Sequence, residues 1–241
     1  MNSFDEPVAA SYDETAAEMF EPAAVQPCVE LLVSLAAGGA ALELGIGTGR
    51  IALPLAARGV PVHGIDLSEA MLRRLQAKPG AAGIGVTLGD FATATVEGTF
   101  AVAYLVFNTI MNLTTQDEQV ACFANVARHL APGGRFVIEV MVPQLQTLPL
   151  GQTVQPFIVT PTVLGFDEYD VAEQGLVSHH YRLEGDGWRQ ESTPCRYVWP
   201  AELDLMARLA GLDLADRWAD WDRSAFLSTS ASHVSVWRKP A

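Results

Sequence analysis

Basic residues are scarce in this chain. Its 241 residues hold 15 Lys and Arg against 28 Asp and Glu, a formal charge of −13. Phosphate backbones are held by clustered cations, so no general nucleic-acid surface is expected. Cysteine is scarce as well: Cys28, Cys122 and Cys195 stand far apart and match no metal-ligand spacing. Free buried thiols in a reducing cytoplasm, and no metal, follow as expectations. No apolar run approaches the roughly 20 residues needed to span a bilayer. Met1-Asn2-Ser3-Phe4-Asp5-Glu6 has neither the basic region nor the apolar core of a secretory leader. The chain therefore reads as a cytoplasmic protein that makes no membrane contact. What it does have is 49% hydrophobic residues with ordinary glycine and proline, enough for a substantial globular core.

The most informative stretch is Ala41-Leu42-Glu43-Leu44-Gly45-Ile46-Gly47-Thr48-Gly49-Arg50-Ile51. An apolar strand, three alternating glycines and an apolar helical run predict strand, tight turn and helix. Glycine tolerates positive φ and lets a ligand approach the backbone, so the turn reads as a loop around a bound molecule. The dinucleotide fingerprint Gly-x-Gly-x-x-Gly is the nearest phosphate-binding pattern. Here the third glycine comes one place early, at Gly49, and Arg50 stands where the helix-packing glycine belongs. That disfavours a pyrophosphate cofactor and leaves an NAD-type oxidoreductase as the weaker alternative. Glu43, just before the first glycine, suits a cationic ligand end.

The spacing Glu-x-Gly-x-Gly-x-Gly at a strand-to-helix turn resembles the first motif of the class I S-adenosylmethionine-dependent methyltransferases of small-molecule type. Further matches follow in order. Asp66, with Leu67 and Ser68 after it, resembles the acidic residue that takes the ribose hydroxyls. Gly89-Asp90-Phe91 resembles the adenine contact, an acid near the exocyclic amine with an apolar neighbour against the ring. Leu130 to Arg135 resembles the turn before the fifth strand. The opening Tyr12-Asp13 pair resembles a segment that lies over the cofactor by its methionine part. The resemblance implies S-adenosyl-L-methionine as cofactor, held by Tyr12, Glu43, Gly45, Gly47, Gly49, Asp66, Leu67, Asp90, Phe91, Phe107 and Asn108. Plainer readings stand beside these. The glycines could form an ordinary turn, Asp66 could cap the following helix unless Ser68 does, Asp90 could close a strand, and Tyr12 could pack a short helix.

Short apolar runs at 40–44, 61–65, 85–88, 100–107 and 134–140 alternate with helical runs at 51–58, 69–77 and 116–130. The strand runs lack period-two alternation, as expected for parallel strands buried on both faces. The fold class is therefore α/β: a doubly wound, mostly parallel, Rossmann-like sheet. Ligands in such sheets sit outside the carboxyl ends of the strands, where Gly45, Asp66, Asp90 and Asn108 all fall. Ahead of the core, helical patterning starts near Ser11, with Pro22 and Pro27 as interruptions and a core helix over 28–37. After Val140 the pattern changes to antiparallel strands at 154–159, 163–170, 175–183 and 188–199, with a helix at 200–210 and two closing strands. The whole chain, 1–241, is expected to form one domain. Residues 1–39 cover the cofactor, 40–144 form the cofactor-binding core, 145–199 an antiparallel insertion on the substrate side, and 200–241 the closing helix and strands.

The sulfonium methyl of such a cofactor is already activated, so methyl transfer to an O or N nucleophile of a small-molecule acceptor needs mainly in-line positioning. Asn108, after the fourth strand, is a candidate contact near the reacting groups, with a turn role as its alternative. His179 and His180 are the candidate bases. Adjacent strand residues point to opposite faces, so the two cannot chelate one metal. His129 and His233 read as surface residues, and Arg182, Arg189 and Arg196 as strand-face charge. Aromatics in the insertion, among them Phe157, Phe166, Tyr181 and Tyr197, suit a small-molecule pocket or, alternatively, a homodimer face. A non-catalytic cofactor-binding regulatory domain is the remaining alternative function.

Overall fold

The computed structural model describes residues 6–241; residues 1–5 lie outside the described residues. Helix α1 (Glu6–Thr15), a 3-10 turn and helix α2 (Pro22–Ala36) precede the first strand. The helix over 28–37 therefore begins earlier than its pattern suggested, and α1 begins before Ser11. Pro22 sits in the first turn of α2, where a missing N–H costs nothing, and Pro27 is carried inside the helix. Ala37 ends α2 in the left-handed conformation.

Strands β1 (Ala41–Leu44), β2 (Val62–Asp66), β3 (Gly85–Leu88), β4 (Phe100–Leu105) and β5 (Leu130–Met141) alternate with α3 (Ala52–Ala57), α4 (Glu69–Gln76) and α5 (Gln116–His129). After an antiparallel segment come α6 (Pro200–Leu209), β10 (Asp213–Trp218) and β11 (Ser232–Arg238). These strands form one seven-stranded sheet, ordered β10-β11-β5-β4-β1-β2-β3. β1 pairs in parallel with both β2 and β4, so the chain order reverses on either side of it. β11 runs antiparallel to β5. The pairing of β4 with β5 breaks between Leu130 and Arg135, where the expected turn of Pro132, Gly133 and Gly134 lies.

All four residues of β1 are buried, as a strand covered on both faces requires. One side of the core packs around Phe123, Phe136 and Trp237, whose rings meet edge-on at 5.0 and 5.4 Å. The other side packs α2 and α3 against the same sheet. Among the described residues no helix is long and apolar enough to cross a membrane.

The second sheet is an antiparallel meander of β6 (Val154–Val159), β7 (Val163–Asp170), β8 (Gly175–Glu184) and β9 (Gly187–Arg196). Tyr169, Leu176 and Tyr197 at its base are buried in the same core as Phe123 and Phe136. Arg196, expected on a solvated strand face, is 5% exposed. Its guanidinium donates to Gln119, Gln174 and Glu202, the last at 2.7 Å. Gln119 returns a bond to the Arg196 carbonyl, so the network joins α5, β9 and α6. His129 and His233 are likewise buried, not surface residues. His129 accepts the Val96 N–H at 3.0 Å, and burial holds His233 down to about 4.

Removing one member of a buried ion pair strands the other. Glu202→Ala should lower the unfolding free energy by about 3–5 kcal/mol in urea melts, whereas the double variant Arg196→Met/Glu202→Leu should lose far less. A loss below about 1 kcal/mol for Glu202→Ala, the range of an exposed pair, would show that the network carries no structural role.

Candidate active site at the switch point

The carboxyl ends of β1, β2 and β4 open onto a cavity of about 490 Å³. Ligand pockets span roughly 300–1,000 Å³, so this one has room for a nucleoside-sized cofactor. It is lined at one end by Tyr12, Gly45, Gly47, Asp66, Leu67, Asp90 and Phe91, and at the other by Asn112, Leu113, Thr114, Glu118, Thr193 and Pro194, with Met71 and Thr109 completing the wall.

Asp66 ends β2 with one carboxylate oxygen accepting the Gly47 N–H at 2.7 Å and the other the Ser68 N–H at 2.8 Å. Burial raises its pKa above the ordinary value, while these backbone N–H groups pull the other way. The helix-capping job falls to Ser68, whose hydroxyl accepts the Met71 N–H. Gly45, Gly47 and Gly49 all have positive φ, at 69°, 55° and 85°. A Cβ on Gly45 would lie 2.7 Å from the Thr109 side chain, so the loop tolerates none there. Asp90 accepts the Ala92 N–H at 2.8 Å, which turns the chain and sets Phe91 against the cavity.

Helix α1 closes over the loop. Asp13 accepts the Thr48 hydroxyl at 2.5 Å and pairs with Lys78, whose ammonium also donates to the Thr48 carbonyl. Ala9 packs beside Ala70 and Met71, and Tyr12 thereby reaches the cavity wall. Burial raises the Tyr12 phenol above its ordinary value, so it stays protonated near neutral pH.

Other predicted site residues lie outside this lining. Gly49 packs on α3 and α4, where a Cβ would meet Leu75 at 2.3 Å. Glu43 is sealed beneath the loop, accepting the Tyr104 hydroxyl at 2.9 Å. Phe107 stacks under the Arg50 guanidinium, 5.5 Å from its centroid. Asn108 takes φ 58° and uses its side-chain oxygen to accept the Met141 N–H, so it ties β4 to β5 instead of facing the cavity. His179 and His180 are on β8. His179 meets Ser192 at 2.8 Å and Glu168 at 3.3 Å, and His180 packs on Phe157 at 5.2 Å. The structure does not bring the two imidazoles, expected as bases, to the cavity lining. Tyr197 is a core residue against Tyr169.

Thr109 and Asn112 belong to the loop after the fourth strand, where the sequence pointed to Asn108. Thr193 and Pro194 carried no local signal, because their place depends on strand pairing across the meander. Among the described residues no cluster of His, Cys, Asp and Glu could hold a metal.

A doubly wound sheet with a glycine loop, an acid ending the second strand and a cavity at the switch point defines a nucleoside-cofactor enzyme. Residues 41–134 match the methyltransferase domain family. The chain is 30% identical over 224 residues to a cypemycin N-terminal methyltransferase from a Streptomyces species, covering 84% of this chain and 87% of that one. It is similar to the solved CcbJ methyltransferase from Streptomyces caelestis, with 40% identity, TM-score 0.81, and 90% and 89% of the chains covered. The S-adenosylmethionine-bound amino pentose methyltransferase CalS10 from Micromonospora echinaspora shares the fold at 22% identity and TM-score 0.65, over 88% and 89% of the chains. The chain belongs to the class I S-adenosylmethionine-dependent methyltransferases. It is an enzyme with S-adenosylmethionine as cofactor, which sets aside both the oxidoreductase and the regulatory-domain alternatives.

Burial raises Glu43 to about 8, opposed by its bond from Tyr104 and by Arg50. A carboxyl raised on folding stabilises the fold when protonated, and that contribution fades as pH rises towards about 8. The melting temperature of the cofactor-free protein should therefore fall as pH rises from about 5 to 8, and Glu43→Gln should flatten that decline. Equal slopes in scanning calorimetry of the two proteins would rule Glu43 out as the titrating group.

Proposed function

We propose that this enzyme methylates an amine nitrogen of a small molecule or short peptide, chiefly by positioning. The observation that carries this reading is the cavity itself. It runs without interruption from Asp66 and Asp90 to Asn112, Thr114 and Thr193; its lining holds no His, Cys or Lys, and its carboxylates are already engaged, Asp66 and Asp90 with backbone N–H groups beside the glycine loop and Glu118 with the Thr115 N–H in the capping box of α5. An alcohol must lose a proton as it attacks and needs a base within reach, whereas an amine can arrive neutral. The cypemycin relative, named for N-terminal methylation, supports the same choice.

The residues present fit the cofactor. In this reading Asp66 takes the ribose hydroxyls, Asp90 and Phe91 the adenine, and Gly45 and Gly47 the methionine part, with Tyr12 above; all of them line the cavity. S-adenosylmethionine supplies a methyl group on a sulfonium, which leaves readily. The chain's task is then to hold a neutral amine in line at about 3 Å and to exclude water. Tyr12, as a neutral phenol, can donate a hydrogen bond at the covered end without carrying charge. Thr109 and Asn112 stand between the two ends and are the side chains assigned to orient the nucleophile. In this reading residues 145–199 form the acceptor side of a single domain. If copies of the chain pair, the exposed edge strand β6, with Val154 and Val159, is the face that supports it.

Two measurements check the reading. With label on the cofactor methyl, a panel pairing each primary amine with its alcohol, including amino sugars and short peptides with free N-termini, should show transfer to amines only. Transfer to alcohols alone would overturn it. By calorimetry, Asp66→Ala should weaken binding of the demethylated cofactor by about 2–4 kcal/mol through lost charge-assisted bonds. Unchanged affinity in the folded variant would confine Asp66 to holding the loop.

A further inference from the structure

The antiparallel meander places four polar residues side by side. Gln155 lies opposite Asp167, Asp167 opposite Ser178, and Ser178 opposite Thr193. Directly opposed residues of antiparallel strands project to one face. This row therefore crosses the whole second sheet on a single side, and its last member, Thr193, lines the cavity.

That face is the inward one. Two residues along the strands, Tyr169, Leu176 and Cys195 form the neighbouring row, and Tyr169 and Leu176 are each only 3% exposed within the main core. On the other flank stands His180, its ring against Phe157 at 5.2 Å and its Nε2 3.3 Å from the Ser178 hydroxyl. Phe157 also covers Gly165, where a Cβ would lie 2.4 Å from the ring. The polar row is thus walled by core on one side and by an aromatic lid on the other.

The row is not fully satisfied from within the protein. Gln155 Oε1 is buried, with no hydrogen-bond partner among the described residues. Asp167 is half-buried, and burial raises it above its ordinary value. The neighbouring Ser178 hydroxyl and the His180 and His179 imidazoles offset this, in that order. Its electrostatic neighbours are imidazoles, with no Lys or Arg among the described residues acting on it. A buried acceptor without a donor is costly, and both Gln155 Oε1 and a carboxylate are acceptors. The group that completes the row must donate.

We propose that Thr193, Ser178, Asp167 and Gln155 form the outer half of the acceptor site, and that they hold a hydrogen-bond-donating group, an ammonium or a hydroxyl, remote from the nitrogen being methylated. The proposal rests on the N-methylation reading above and names a feature of its substrate class: an amine whose far end carries a second polar donor. Thr193 passes the acceptor from the cavity to the row, Asp167 supplies the strongest acceptor, and the wall of Phe157 and His180 limits its length.

The test uses the full-length protein saturated with the demethylated cofactor. Its probes are hexylamine, 6-aminohexanol and 1,6-diaminohexane, with their butyl and octyl counterparts. Calorimetry should find that donor-tailed amines of one chain length bind about tenfold or more tighter than the plain amine. Asp167→Leu and Ser178→Ala should erase that preference while leaving cofactor affinity unchanged. Gln190→Ala, on the opposite face, should keep it. Asp167→Asn separates the two donors, since it should lose the preference for an ammonium tail and retain that for a hydroxyl. The absence of any tail preference, including failure of every probe to bind, overturns the proposal, as does a preference that survives Asp167→Leu. Parallel assays with labelled cofactor keep the two readings apart. Transfer without tail preference sinks the polar row alone, and tail-selective binding to a protein that methylates only alcohols sinks the N-methylation reading alone.

Discussion

The carboxylate of Asp66 is the hinge of this molecule. It stands at the end of β2 and accepts one N–H from the glycine loop after β1 and one from the start of α4. Those two segments belong to neighbouring strand-to-helix crossings, so a single side chain fixes the spacing between them. The loop's own residues cannot do this, because three positive-φ glycines leave its backbone free to take many shapes. With Asp66 in place the loop faces a cavity, and in the proposed function the same carboxylate takes the cofactor's hydroxyls. Charge-assisted bonds of this kind are among the stronger ones a chain can make.

Around that hinge the protein stacks further constraints, each from a different part of the chain. Glu43 and Tyr104 lock the underside of the loop to β4. Asp13, Thr48 and Lys78 lock its upper side to α1 and α4. Arg50, where a dinucleotide-binding turn would carry glycine, donates to the Met19 carbonyl and covers Phe107. One odd residue in a familiar spacing therefore has a structural use: it fastens the covering segment to the loop. The glycine loop and the segment covering it are in this way parts of one hydrogen-bonded assembly.

The second sheet shows how an antiparallel meander can border the cavity without disturbing the core. Its base shares buried Tyr169, Leu176 and Tyr197 with the main core, and Arg196 clamps it to α5 and α6. Its upper part is held chiefly by its own ladder. That leaves its inward face free to carry polar groups next to the cavity, where the core rows below could not.

The sequence by itself determined the parallel sheet, because strands buried on both faces must be apolar throughout and their glycine turns are local. It likewise pointed to Gly45, Gly47, Asp66, Leu67, Asp90 and Phe91, each just past or at a strand end, and the family resemblance added Tyr12 on α1; all seven line the cavity. Tertiary structure decided the rest. Whether His179 or His180 reached the cavity depended on how β8 is seated, and whether Arg196 met solvent depended on Glu202 and Gln119 arriving from elsewhere. Asn108 and Thr109 are adjacent in one loop, yet only Thr109 lines the cavity, because Asn108 is turned to the Met141 N–H. Thr193 joined the wall through pairing with Ser178. Periodicity and turn chemistry are set by neighbours within a few residues, whereas the direction a side chain faces in a long-range pairing is set by partners the local sequence does not contain.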